Sequence, residues 1–148
     1  DLVRSRGLGD VYKRQLCHRV PVVDGHTEAV SVRLAGNPSL VLVREVLASF
    51  RALPQELGLP SAPLAPIILH DRPERPQPRL DLAESAEPAA GQAHGCAHGM
   101  TVHIGRVREC PVLGVKFALL GHNAERGAAG ASVLNAELAV ATGWWAAD

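Results

Sequence analysis

Residues 19–34 read R-V-P-V-V-D-G-H-T-E-A-V-S-V-R-L, two strand-like runs about an Asp-Gly turn. The first, Arg19 to Val23, is β-branched and apolar, which suits a buried strand. Pro21 has no ladder donor, so that strand is expected at an edge or near its end. Asp24-Gly25 is a turn signal. From His26 to Leu34 the chain alternates, with Val30, Val32 and Leu34 on one face and Ala29, Ser31 and Arg33 on the other. This is the pattern of a half-buried strand.

Outward from this hairpin, Asn37-Pro38 reads as a helix opening, with Asn as N-cap and Pro at the first helical position. Leu40, Val43, Val46, Leu47, Phe50 and Leu53 follow at helical spacing, and Pro54 closes the stripe. Residues 59–81 carry six prolines and are expected to be an extended connection, ordered by a second subunit, with one short strand over Ile67–His70. Residues 82–99, rich in Ala and Gly, read as a surface insertion. Strands resume over Met100–Arg108 and Gly114–Leu120. Asn123 can cap a last helix from Ala124 to Thr142, with Gly143 as its stop. The five small residues Gly127 to Ala131 call for close approach of another backbone or a ligand, because glycine costs a helix about 1 kcal/mol against alanine. Strands and helices without regular βαβ alternation give an α+β class, a mixed and largely antiparallel sheet covered by helices.

The chain has 148 residues, 47% hydrophobic and 20% charged, with zero formal charge. That fits one globular domain and gives no electrostatic case for nucleic acid or anionic membrane as partner. No apolar run approaches the roughly 20 residues that span a bilayer. Three cysteines, Cys17, Cys96 and Cys110, are odd in number and irregular in spacing, which suits reduced thiols in the cytoplasm. Residues 1–15 have neither helical nor alternating periodicity and resemble translated sequencing adapter. They are expected to be non-native and outside the fold, which leaves the native part starting inside a longer protein.

Histidine is the side chain best suited to moving protons both ways near neutrality, and arginine binds a carboxylate through two parallel hydrogen bonds. Arg19 and His26, at adjoining strand ends, can therefore hold an acidic substrate and act on it. The competing reading is a surface histidine and a salt-bridged arginine. Of Thr27 and Glu28, only one can share the space of His26, since strand neighbours face opposite sides. His94, Cys96 and His98, with His103 and Cys110 downstream, match no common zinc spacing, and no metal is expected there. Trp144-Trp145 reads as packing of a chain end.

The stretch R-V-P-V-V-D-G-H-T-E-A-V-S-V resembles the segment around the acid/base histidine of aspartate-semialdehyde dehydrogenases of the archaeal and fungal branch. The resemblance continues through G-L-P-S-A-P at 58–63 and R-P-Q-P-R-L-D at 75–81. It then runs through I-G-R-V-R-E-C-P-V-L at 104–113, K-F-A-L-L-G-H-N at 116–123 and R-G-A-A-G-A-S-V-L-N-A-E-L at 126–138. It implies a C-terminal domain of the semialdehyde dehydrogenase/glyceraldehyde-3-phosphate dehydrogenase-like type. Residues 16–121 would form the dimerisation and catalytic domain, and residues 122–148 a helix packing back on an NADP-binding domain outside this chain. The implied reaction is reductive dephosphorylation of 4-phospho-L-aspartate by NADPH to L-aspartate 4-semialdehyde, through a thioester on a cysteine. His26 would be the acid/base and Arg19 would bind the substrate carboxylate. Asn123 and Gly127 would lie at the NADP side, and the protein would be a cytoplasmic homodimer or homotetramer.

That nucleophilic cysteine and the glycine-rich dinucleotide loop lie upstream in the family and have no counterpart here, so this polypeptide alone is expected to be inactive. Cys17 stands in the wrong context for the nucleophile. Two alternatives stay open: a relative with the same chemistry on another acyl substrate, such as malonyl-CoA reductase or N-acetyl-glutamyl-phosphate reductase, and a non-catalytic dimerisation module.

Overall fold

In a computed structural model of the chain, the structure describes residues 12–84 and 99–144. In chain order the elements are β1 (Tyr12–His18), β2 (His26–Arg33), α1 (Leu40–Ser49), α2 (Leu53–Glu56), β3 (Ile67–Leu69), α3 (Pro78–Glu84), β4 (Val102–Cys110), β5 (Gly114–Gly121) and α4 (Ala129–Ala141). The strands form one sheet in the order β1-β2-β5-β4-β3, antiparallel throughout except where β3 joins β4 in parallel. The mixed, largely antiparallel α+β architecture matches the sequence expectation.

The first strand lies elsewhere than expected. Residues 19–25 are a connection, and β1 is the segment before them, with all seven of its residues exposed on the sheet edge. Pro21 removes the donor a strand would need, and the Val22 N–H turns back to the Val20 carbonyl at 2.8 Å. Tyr12 to Gln15, which the sequence reading left outside the fold, pair with Arg33 to Val30 of β2. β2 itself is as expected, with Val30 buried.

Ser39 rather than Asn37 caps α1. Gly36 and Asn37 both adopt positive φ (74° and 45°), so the chain enters the helix later, and the Ser39 hydroxyl accepts from Leu42 N at 3.2 Å. The helix ends at Ser49, and Leu53 opens α2 with Pro54 in its first turn, where a missing N–H costs nothing. Pro54 thus begins a helix instead of closing one. Of the expected stripe only Val43 is buried, against β3 and β4, while Val46 and Phe50 remain 56% and 44% exposed.

The start of the proline-rich connection is held from within the chain. Leu59, Ala62 and Met100 pack with Leu134 of α4, and Leu138 flanks them. The Glu137 carboxylate accepts from Ser61 N at 2.9 Å and from the Ser61 hydroxyl at 2.8 Å. The 58–63 segment is therefore a seat for α4. α3 was not anticipated; it takes up Pro78–Glu84, split between the expected connection and the expected insertion. Residues 85–98 of that insertion, with His94, Cys96 and His98, lie outside the described residues, as does Trp145.

β4 carries a bulge between Gly105 and Arg108, where Arg106 takes φ 56° and its Nε donates to the Pro73 carbonyl at 2.7 Å. One residue earlier, a Cβ on Gly105 would lie 2.4 Å from the Arg75 carbonyl oxygen. Backbone cannot step aside there. Gly105→Ala should therefore cost about 1–3 kcal/mol of stability, the usual penalty of overpacking, read as a lower urea midpoint. An unchanged midpoint would mean that the 70–77 segment is free to move off the sheet.

Candidate active site

The antiparallel pairing of β1 with β2 ends at His18 opposite Thr27, so Arg19 and His26 stand at neighbouring strand ends. The turn between them depends on Gly25, whose φ of 114° excludes ordinary side chains. A Cβ there would also press on Leu82 Cδ1 at 2.9 Å and Pro78 Cβ at 3.1 Å. Across the sheet His26 pairs with Gly121, which brings the segment after β5 to the same end. The Gly25 N–H donates to Asn123 Oδ1 at 3.0 Å. The Gly25 turn thus joins His26 and Asn123, and Arg19 follows the neighbouring strand end.

His26 Nε2 lies 3.0 Å from Glu28 Oε1, with 45% and 17% of the two side chains accessible. Glu28, not Thr27, shares the space of the imidazole, as alternation along a strand requires. Cys17 pairs directly with Glu28, so the ribbon face that carries His26 also carries a thiol. The sequence reading missed that proximity. Its only signal is the β1–β2 register, which cannot be seen before the hairpin is closed. Arg19 is exposed and, among the described residues, its guanidinium has no hydrogen-bond or ion-pair partner.

Arg19 and His26 are both exposed. Cavities of about 310, 390, 460 and 650 Å³ are lined by neither Arg19 nor His26. The 460 Å³ cavity lies on the other face of the ribbon, with Thr27, Pro76, Gln77 and Arg106 in its wall.

Asn123 is not the cap of α4. Residues 123–128 form turns, and the helix starts at Ala129. The buried His122 organises this stretch: its Nδ1 accepts from Ala124 N and Glu125 N, each at 3.2 Å. Gly127 N donates back to the His122 carbonyl at 2.9 Å. A Cβ on Gly127 would come within 2.4 Å of the Asn123 carbonyl oxygen, and one on Gly130 within 2.5 Å of Met100 Sδ. Within this chain the small residues thus accommodate its own backbone and core. Gly127 shapes the loop that delivers Asn123 to Gly25.

A second polar centre lies under β3 and β4, and no spacing rule pointed to it. Asp81, fully buried, receives Arg75 Nε at 2.7 Å and Arg75 Nη2 on one oxygen, and Gln77 N on the other. His70 Nε2 lies 3.2 Å from Asp81 Oδ1 and 3.0 Å from His103 Nδ1, and the two imidazoles stack with centroids 5.3 Å apart. Burial by itself would push the Asp81 carboxyl up. The Arg75 hydrogen bond, the Gln77 N–H and the charges of His70 and Arg75 outweigh it and hold the carboxyl below the usual aspartate value. Cys110, at the far end of β4, has its thiol lowered chiefly by the backbone N–H groups of Leu113 and Val112.

Comparison with known proteins matches residues 8–125 to the family described as semialdehyde dehydrogenase, dimerisation domain. The aspartate-semialdehyde dehydrogenase of Methanothermobacter thermautotrophicus is 48% identical over 124 residues, covering 82% of this chain and 32% of the relative. That of Archaeoglobus fulgidus is 44% identical over 137 residues, covering 93% of this chain and 35% of its own length. Among solved structures, aspartate semialdehyde dehydrogenase with NADP from Candida albicans superposes with a TM-score of 0.69 at 40% identity, covering 83% of this chain and 32% of that one. The chain spans about a third of the length of the relatives it matches.

Proposed function

This chain belongs to the semialdehyde dehydrogenase family, and from that premise we propose a place for it within one enzyme. It is the C-terminal catalytic and dimerisation part of an aspartate-semialdehyde dehydrogenase. The reaction is reductive dephosphorylation of 4-phospho-L-aspartate to L-aspartate 4-semialdehyde, with release of phosphate, in amino-acid biosynthesis. The observation that supports the reading is the Gly25 turn, which sets His26 at a strand end and holds Asn123 beside it, with Arg19 at the adjoining strand end.

Each residue then has a task suited to its position. Arg19 offers a planar fork of donors to the substrate α-carboxylate. His26 moves a proton to and from the reacting centre, its ring oriented by Glu28 Oε1. The nucleophilic thiol, and the wall that covers Arg19 and His26, come from the part of the protein beyond this chain. NADP is the cofactor of this reading, and when bound it exchanges hydride with the substrate carbon. Asn123 suits a contact with its nicotinamide end: the Gly25 N–H holds Oδ1, which leaves the side-chain NH₂ to donate. Gly127 contributes by permitting the loop that places Asn123.

The exposed apolar side chains of α1 and its C-cap, with Val41, Leu42, Val46 and Phe50 each at least 44% accessible, support assembly into a homodimer or homotetramer. No helix among the described residues is long and apolar enough to cross a membrane, and a cytoplasmic location goes with the biosynthetic role.

The test is an assay of the full-length protein for phosphate-dependent reduction of NADP by aspartate semialdehyde. Absence of turnover, or dependence on coenzyme A in place of phosphate, would overturn the assignment. Arg19→Ala should raise the KM for aspartate semialdehyde about 10- to 100-fold, the value of roughly 1.5–3 kcal/mol for a hydrogen bond to a charged group. Turnover at saturation should change far less. An unchanged KM would remove Arg19 from the substrate site.

A further inference from the structure

We propose that Cys17, His26 and Glu28 form a binding site for a soft divalent cation of the zinc type. Cys17 is the cross-strand partner of Glu28, and His26 precedes Glu28 by two residues, so all three side chains rise from one face of the β1–β2 ribbon. Their sulfur, nitrogen and oxygen ligand atoms all lie within 4.8 Å of one another. A tetrahedral ion bonded at about 2.0–2.3 Å needs ligand atoms roughly 3.3–3.7 Å apart, so side-chain rotation of about an ångström completes the set. A thiolate and an imidazole beside one carboxylate favour zinc or cobalt over calcium or magnesium, which take oxygen ligands. Three protein ligands leave the fourth position open, as in catalytic rather than structural zinc sites.

The chemistry balances simply. Cys17 loses its thiol proton to solvent as the metal–sulfur bond forms, and thiolate and carboxylate together neutralise the ion. No electron is transferred. A second cluster of ligand-type side chains among the described residues, His70, Asp81 and His103, does not qualify. There the carboxylate is already occupied by the Arg75 guanidinium, whose charge repels a cation.

One consequence rests on the function proposed above: an ion on His26 takes the lone pair needed for proton transfer, so zinc should inhibit turnover. The binding itself does not depend on that reading, and its test needs no turnover. The full-length protein, reduced and freed of metal with a chelator, is titrated with cobalt(II), following the near-ultraviolet thiolate-to-cobalt charge-transfer band, and the band is then displaced with zinc. The expected result is a band that Cys110→Ser leaves intact. Cys17→Ser should abolish it, and Glu28→Gln should weaken cobalt binding at least about tenfold, since even loss of an outer partner of a ligand costs roughly 10–100-fold. Cys17 is exposed, and Glu28→Gln keeps the shape of its side chain, so neither substitution disturbs the core. A wild-type protein without the band, or a Cys17→Ser protein that binds cobalt as tightly as wild type, overturns the proposal. If the band behaves as expected while no dehydrogenase activity is found, the site stands and the enzymatic reading falls.

Discussion

His26→Ala in the full-length protein is expected to lower kcat about 10²- to 10⁴-fold, the usual contribution of a positioned acid/base. The imidazole opens a strand whose pairing with β5 fixes its base, and Glu28 holds one ring nitrogen from the same face. Among the described residues no other imidazole stands in its place: His18 pairs with Thr27 and so rises from the opposite face of the ribbon. His122, although next to Asn123, is buried and already accepts two backbone N–H groups through Nδ1. His70 and His103 are tied to Asp81. Steady-state kinetics would check this, and retention of more than about a tenth of the rate would refute the acid/base role. KM should move little, because the carboxylate contact belongs to Arg19.

The second large effect is on stability. Asp81→Ala leaves the Arg75 guanidinium buried with its principal partner gone, and breaking such a pair from one side costs about 3–5 kcal/mol. Gln77 N would lose its acceptor as well. The double variant Arg75→Met/Asp81→Leu should recover part of the loss, since no charge is then stranded. The same carboxyl governs acid sensitivity. Its folded pKa lies below the unfolded value, so the native state is favoured by its ionised form. That stabilisation is present above about pH 4, the ordinary aspartate range, and is lost as pH falls through the folded value. Unfolding midpoints across pH 3 to 7, roughly the window around the aspartate value, should show this slope in the wild type and a flatter one in Asp81→Asn. Equal slopes would contradict the pairing.

Much of the sheet was legible because alternation is local. Val30 and Val32 announced β2, and the runs in β4 and β5 needed no knowledge of their partners. Edges and caps were not legible, because they depend on competition between neighbours. The apolar run after Arg19 looked more like a strand than Tyr12 to His18, yet Pro21 cannot donate, and the polar segment takes the edge. Asn37 loses the cap to Ser39 once Gly36 has turned the chain.

The site divides the same way. Arg19 and His26 could be paired from sequence, since one hairpin joins them. Cys17 beside Glu28 required the register, and Asn123 on Gly25 required β5 to lie next to β2. The Arg75–Asp81 pair is six residues apart, a spacing no local rule selects, and its imidazole neighbours come from β4 and the end of β3. Small residues at 127–131 signalled close approach correctly, but within this chain what approaches is its own Asn123 carbonyl and Met100.

A crystal structure of the full-length protein with aspartate semialdehyde bound tests the central claim most directly. The account predicts the substrate carboxylate on the Arg19 guanidinium and the His26 ring within hydrogen-bond reach of the reacting centre, about 3 Å or one water away. A substrate held elsewhere, with Arg19 and His26 facing different spaces, would contradict it.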